Sequence, residues 1–127
     1  SLIHEAKQLG LTIGGNYLLG YPDETYEEMT ETIMLAKRHM DEGLDRANFM
    51  ILVPFPGTLL YDEAITNGNL SPDFDPDMMN WMYPTMKNTL IHPEVLEYVN
   101  RICWRLLNHS GRVDNISSMA LGVTGGL

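Results

Sequence analysis

The chain has 127 residues, about one domain's worth, and 44% of them are hydrophobic, an ordinary share for a globular protein with a core. With 17 acidic against 8 basic residues the net charge is −9, which repels nucleic-acid phosphates and anionic membrane and argues against both as partners. No stretch approaches the ~20 apolar residues of a bilayer span. The opening Ser1-Leu-Ile-His-Glu-Ala-Lys-Gln8 lacks the basic and apolar regions of a signal peptide, so the expected compartment is the cytoplasm.

Residues 2–9 read as the last turns of a helix, with Leu2, Ala6 and Leu9 on one face and Gly10 as its stop. A chain opening in mid-helix suggests a piece of something longer. Residues 12–19 read as a strand, and the run Tyr17-Leu18-Leu19 suggests burial on both faces. Gly20-Tyr-Pro-Asp23 turns the chain, and Thr25 with Glu28 spells a capping box. Tyr26, Met29, Ile33, Ala36 and Met40 then recur at spacings of three and four, the stripe of an amphipathic helix ending at Gly43.

A second strand is expected over 46–53, with Phe49-Met-Ile-Leu-Val53 again buried on both faces. Pro54-Phe-Pro-Gly57 ends it, because proline cannot donate to a ladder. Thr58 caps a short helix through Leu59, Leu60, Ala64 and Ile65 to Gly68. Residues 69–92 are turn-rich and methionine-rich without a clear period, and read as a loop packed by its own side chains. Pro93 suits a first helical position, opening a helix to about Leu107 with Val95, Val99, Ile102 and Leu106 inward. Ser110–Leu127 is small, polar and Gly-rich, and is expected to be loosely held.

Two strand–turn–helix units in succession imply parallel strands whose turns share one rim, and in such folds ligands bind at that rim. Gly20-Tyr-Pro-Asp-Glu-Thr25 is one candidate site. A glycine at a strand end permits close backbone approach, and helix-opening N–H groups suit polar ligand groups. Asp23 and Glu24 there disfavour a phosphate and better suit an amine or hydroxyl. Pro54-Phe-Pro-Gly-Thr58 with Tyr61 is the other, its prolines fixing an extended exit that presents the Val53 and Pro54 carbonyls.

Other constellations carry less. Cys103, the one cysteine, permits no internal disulfide and no cysteine-held cluster within the chain; it reads as a small buried hydrophobe. His4, His39, His92 and His109 show no ligand spacing. Asp73-Phe-Asp-Pro-Asp77 resembles the start of a calcium loop, but has Met78 at the sixth position and Pro84 at the twelfth, where glycine and glutamate belong. No nucleophile set is evident, so no catalytic residue is named.

Gly10-Leu-Thr-Ile-Gly-Gly-Asn-Tyr-Leu-Leu-Gly-Tyr-Pro-Asp-Glu-Thr25 resembles the fifth strand and following turn of radical S-adenosylmethionine enzymes. Pro54-Phe-Pro-Gly-Thr-Leu-Leu-Tyr61 resembles the end of their sixth strand, most like the branch with a cobalamin-binding domain. The resemblance implies an α/β fold: the C-terminal fragment of a partial (βα)6 TIM-like barrel, with two parallel strands, flanking helices and a C-terminal helical extension. Residues 1–70 would be its last βα units, and 71–127 a loop, helix and flexible tail. It also implies S-adenosylmethionine, a [4Fe-4S] cluster held by residues outside this chain, and, in the longer protein, the cobalamin of that branch. The cluster would cleave the cofactor to a 5′-deoxyadenosyl radical acting on a small-molecule substrate.

By the same resemblance the cofactor-binding positions are Leu18 against adenine, Gly20, the acidic Asp23 or Glu24, and Val53 and Pro54 at the sixth-strand exit. Asn16 stands where the family's first glycine would be. The three clustered cysteines of the family are absent, so the chain cannot generate the radical alone. The expected partner is the remainder of the same barrel, with self-association when isolated. A non-catalytic interaction module derived from such a domain, and an unrelated α/β domain, are the alternatives.

Overall fold

A computed structural model describes residues 1–108, so the expectations for His109 and for the Ser110–Leu127 tail lie outside the described residues. The elements are α1 (Leu2–Gln8), β1 (Gly14–Leu19), α2 (Tyr26–Asp41), β2 (Arg46–Ile51), α3 (Leu59–Thr66), a 3₁₀ turn (Pro76–Met78) and α4 (Pro93–Leu107). β1 and β2 are adjacent and parallel, in register from Gly14 opposite Arg46 to Leu19 opposite Ile51. The α/β class and the parallel pair are as expected.

Local chemistry explains where the elements begin. Thr25 accepts from the Glu28 N–H while the Glu28 carboxylate accepts from the Thr25 N–H, the full capping box. Thr58 caps α3 through the Tyr61 N–H at 3.2 Å. His92 Nδ1 accepts from the Glu94 N–H, and Pro93 fills the first turn of α4.

The main core lies on one face of the sheet. Tyr17 and Leu19 of β1 and Ala47, Phe49 and Ile51 of β2 meet Met29, Ala36 and Met40 of α2 and Leu96, Cys103 and Leu107 of α4. Tyr17 and Phe49 stack with ring centroids 5.4 Å apart, and Tyr17 Oη lies 2.8 Å from His39 Nδ1. A second cluster of Ala64, Leu70, Met79 and Met86 packs the 69–92 segment against α3, so that segment does pack by its own side chains.

Three expectations need correction. Among the described residues the strands are not buried on both faces: Gly14, Asn16, Leu18 and Arg46 are exposed and Asn48 and Met50 half-exposed, because the described helices cover the side bearing Tyr17 and Phe49. The face of α1 read from Leu2, Ala6 and Leu9 is not the one that packs: Leu2 and Leu9 are 81% and 78% exposed, and Ile3 makes the contact with the core. The inward face of α4 runs through Leu96, Asn100, Cys103 and Leu107, one residue on from the expected stripe, while Val95, Val99, Ile102 and Leu106 are half-buried at its flank.

The roll of α4 has a cause. Asn108 at its end accepts from the Ala47 N–H at 2.8 Å and donates to the Ala47 carbonyl at 2.7 Å. Trp104 Nε1 donates to the Phe49 carbonyl at 2.7 Å, and the Trp81 carbonyl accepts from the Ile51 N–H at 2.8 Å. These are outward-facing backbone groups of β2. Side chains of α4 and one backbone carbonyl thus stand where a further strand would pair, and β2 is closed as an edge.

Candidate functional site at the C-terminal rim of the strands

Both turn motifs emerge at the same rim, side by side. The Leu52 N–H donates to the Leu19 carbonyl at 2.8 Å, extending the ladder to the point where both chains leave the sheet. Beyond it β1 passes into Gly20 at φ +97°, a conformation that disfavours any side chain. A Cβ there would come within 2.6 Å of Leu96 and 3.4 Å of Ile51, so packing against α4 also demands glycine.

The acidic pair divides. Glu24 turns back, is buried, and accepts from the Gly20 N–H at 3.0 Å. Burial pushes its carboxyl above the usual range; the Gly20 bond opposes this, and Glu28 and Asp23 nearby add to it. Asp23 is exposed, and with Tyr21 and Pro22 it faces Leu60 and Glu63 of α3 and Asn67 just beyond its end across a cleft of about 220 Å³.

On the second exit, Val53 is half-buried and Pro54 fully buried. The Val53 carbonyl accepts from the Phe55 N–H at 3.0 Å, and Thr58 Oγ1 donates to the Phe55 carbonyl at 2.7 Å, which fixes the loop. Of the six positions, Leu18 alone offers a broadly exposed apolar side chain, 45% accessible, beside its register partner Met50. Gly20 and Glu24 are bonded to each other, Val53 and Pro54 pack at the neighbouring exit, and Asp23 faces the separate cleft toward α3.

The open sheet face carries residues not singled out for the site. Below Leu18 and Met50 stand Asn16 and Asn48, also register partners, with Asn48 Nδ2 donating to Asn16 Oδ1 at 3.0 Å. Assuming burial on both faces hid this row; period-two alternation from Leu18 and one parallel neighbour would have found it.

An apolar platform beside free rim space suits the flat face of a nucleoside. A metal cluster does not fit this part: among the described residues no three His, Cys, Asp or Glu side chains are placed to hold a metal ion, and burial pushes the Cys103 thiol up to about 11. No helix among the described residues is long and apolar enough to cross a membrane.

No protein-family model matches the chain. It is 41% identical over 91 residues to an uncharacterized methyltransferase of Pyrococcus horikoshii, a match covering 72% of this chain and 17% of that protein. It is 26% identical over 97 residues to the bacteriochlorophyllide d C-8(2)-methyltransferase of Chlorobaculum tepidum, covering 76% of this chain and 21% of that protein. The chain thus spans only about a fifth of the curated methyltransferases it is similar to.

Proposed function

We propose that the chain is the last part of a radical S-adenosylmethionine methyltransferase barrel, and that its rim supplies part of the cofactor's nucleoside site. The observation that carries this is the adjacent, parallel exit of β1 and β2, with exposed Leu18 and half-exposed Met50 forming an apolar pair just below it. The similarity to two methyltransferases supports cofactor-dependent methyl transfer as the reaction class of the longer protein. When bound, the cofactor supplies the methyl group and, with a reduced cluster held elsewhere, the radical; cobalamin belongs to the same proposal.

This chain's own residues position. Leu18 and Met50 present an apolar floor, Gly20 lets the chain turn without a side chain, and Glu24 holds the Gly20 N–H so that the turn keeps its shape. Val53 and Pro54 fix the second wall. The small-molecule substrate meets the same open face.

The test is S-adenosylmethionine binding to the polypeptide encoded by the complete reading frame, loaded with iron and sulfide, by equilibrium dialysis. Leu18→Asp puts a charge under the adenine and is expected to weaken binding by about 10- to 100-fold. Unchanged affinity overturns the proposal. So does tight stoichiometric binding by the 127-residue chain alone, since part of the grip belongs to iron held outside it.

A further inference from the structure

Asn16 and Asn48 form a row on the open sheet face that strand stability does not explain. Along that face β1 presents Gly14, Asn16 and Leu18, and β2 presents their register partners Arg46, Asn48 and Met50. Strands disfavour asparagine, and stability alone would place Val, Ile or Thr at the centre of two paired strands. Here two asparagines stand side by side, each with hydrogen-bonding capacity left over. Asn48 Nδ2 donates to Asn16 Oδ1 at 3.0 Å, while Asn16 Nδ2 and Asn48 Oδ1 meet no partner among the described residues.

We infer that this amide pair recognises a small-molecule substrate carrying an N–H beside a C=O, as an amide, lactam or imide does. Two amides joined by one bond keep one donor end and one acceptor end. Turning both amides over exchanges the ends and still leaves one of each. The complement of such a pair is a neutral planar group that offers its C=O to the free amide N–H and its N–H to the free amide oxygen.

Space and charge agree with that ligand. The position below Asn16 on β1 is Gly14, where a Cβ would stand 3.6 Å from Asn48 Nδ2, so the missing side chain leaves the pair uncovered on that side. None of the six residues on the face is acidic, so an ammonium group finds no counter-charge on the two strands. Arg46 alone among the six is charged, and its guanidinium lies 5.3 Å from the Trp104 ring centroid, toward the β2 edge where Trp104 bonds the Phe49 carbonyl. A carboxylate would accept from Asn16 Nδ2 but set its second oxygen against Asn48 Oδ1.

The pair lies two residues along each strand from Leu18 and Met50, about 6–7 Å farther from the rim. A group held there sits beside the proposed nucleoside floor and not on it. Calling the ligand a substrate rests on the proposed function; the hydrogen-bond pattern does not.

Ligand-observed NMR tests this on the polypeptide of the complete reading frame, with S-adenosylmethionine present and its binding measured in parallel by dialysis. Three ring probes of similar shape are compared. In 2-pyrrolidinone the N–H stands beside C=O; N-methyl-2-pyrrolidinone lacks the N–H; the cationic amidine 2-iminopyrrolidine has N–H in both positions. The unsubstituted protein should bind 2-pyrrolidinone about 10-fold more tightly than either other ring, and than propionate. Asn16→Asp keeps an acceptor for Asn48 Nδ2 but replaces the free donor with a carboxylate oxygen, so the preference should pass to 2-iminopyrrolidine. Asn16→Leu combined with Asn48→Leu should erase discrimination between 2-pyrrolidinone and its N-methyl form, with S-adenosylmethionine affinity unchanged.

Equal binding of those two lactams by the unsubstituted protein, or no binding of any probe, overturns the inference and leaves Asn16–Asn48 a cross-strand bond only. So does a preference for propionate, which would make Arg46 the recognising group. A lactam preference that survives the double leucine variant, or that fails to reverse in Asn16→Asp, places the probe elsewhere and overturns it too. Failure of S-adenosylmethionine binding with the lactam preference intact would sink the cofactor proposal and leave this one standing.

Discussion

Glu24 shows how a residue's chemistry can be legible and its job misassigned. Its place after a Gly–Tyr–Pro turn marks it as a rim acid, yet its carboxylate is spent on the Gly20 N–H. A carboxyl whose pKa is raised by burial binds a proton more readily folded than unfolded. Its contribution to stability is therefore greatest in acid and declines as the pH rises from the ordinary value of 4.5 through the raised one. Glu24→Gln keeps an oxygen for the Gly20 N–H and removes the charge, so urea midpoints should lose that decline. Glu24→Ala leaves the N–H unmet and should cost about 1–3 kcal/mol in acid, and less as the pH rises. At Gly20, alanine meets both the positive φ and the 2.6 Å approach to Leu96, and should lower stability by about 2–4 kcal/mol in the same assay.

At the scale of elements, the helices were located by their caps, and the strands by apolar runs ended by Gly or Pro. What was not legible was how each element rolls. Asn100 interrupts the inward face of α4, so a purely apolar stripe reads one residue back, through Val95, Val99 and Ile102. The structure instead buries Asn100, with no partner for its Oδ1 among the described residues, because Trp104 and Asn108 must reach the edge of β2. Those long-range bonds, spanning 55 and 61 residues, leave no local trace in the sequence. Asn108→Ala removes both bonds to Ala47 and should destabilise by about 1–3 kcal/mol, with faster exchange of the Ala47 N–H measured by NMR. Likewise, five apolar residues in a row predict burial on both strand faces. Within the described residues the face of β2 bearing Asn48 and Met50 stays half-exposed, beside the exposed Gly14, Asn16 and Leu18 of β1.

At the scale of the whole molecule, the described residues give the sheet one edge met by α4 and Trp81, one edge with no strand beside it, and one face with no helix over it. A two-stranded sheet buried on a single side is a marginal unit in water. The exposed Leu2, Leu9 and Leu18 add apolar surface that a longer barrel would cover. The rim motifs made the location of the candidate site legible. The division of labour within it was not, because which rim groups bond each other depends on tertiary placement of Glu24, Leu96 and Trp81.

The most direct test of the central claim is amide exchange, by mass spectrometry, of the cluster-loaded complete polypeptide with and without saturating S-adenosylmethionine. Peptides covering 14–25 and 48–58 should both slow on binding, with residues 1–9 unchanged. Saturation of the cofactor site with both rim peptides unaltered would contradict the account.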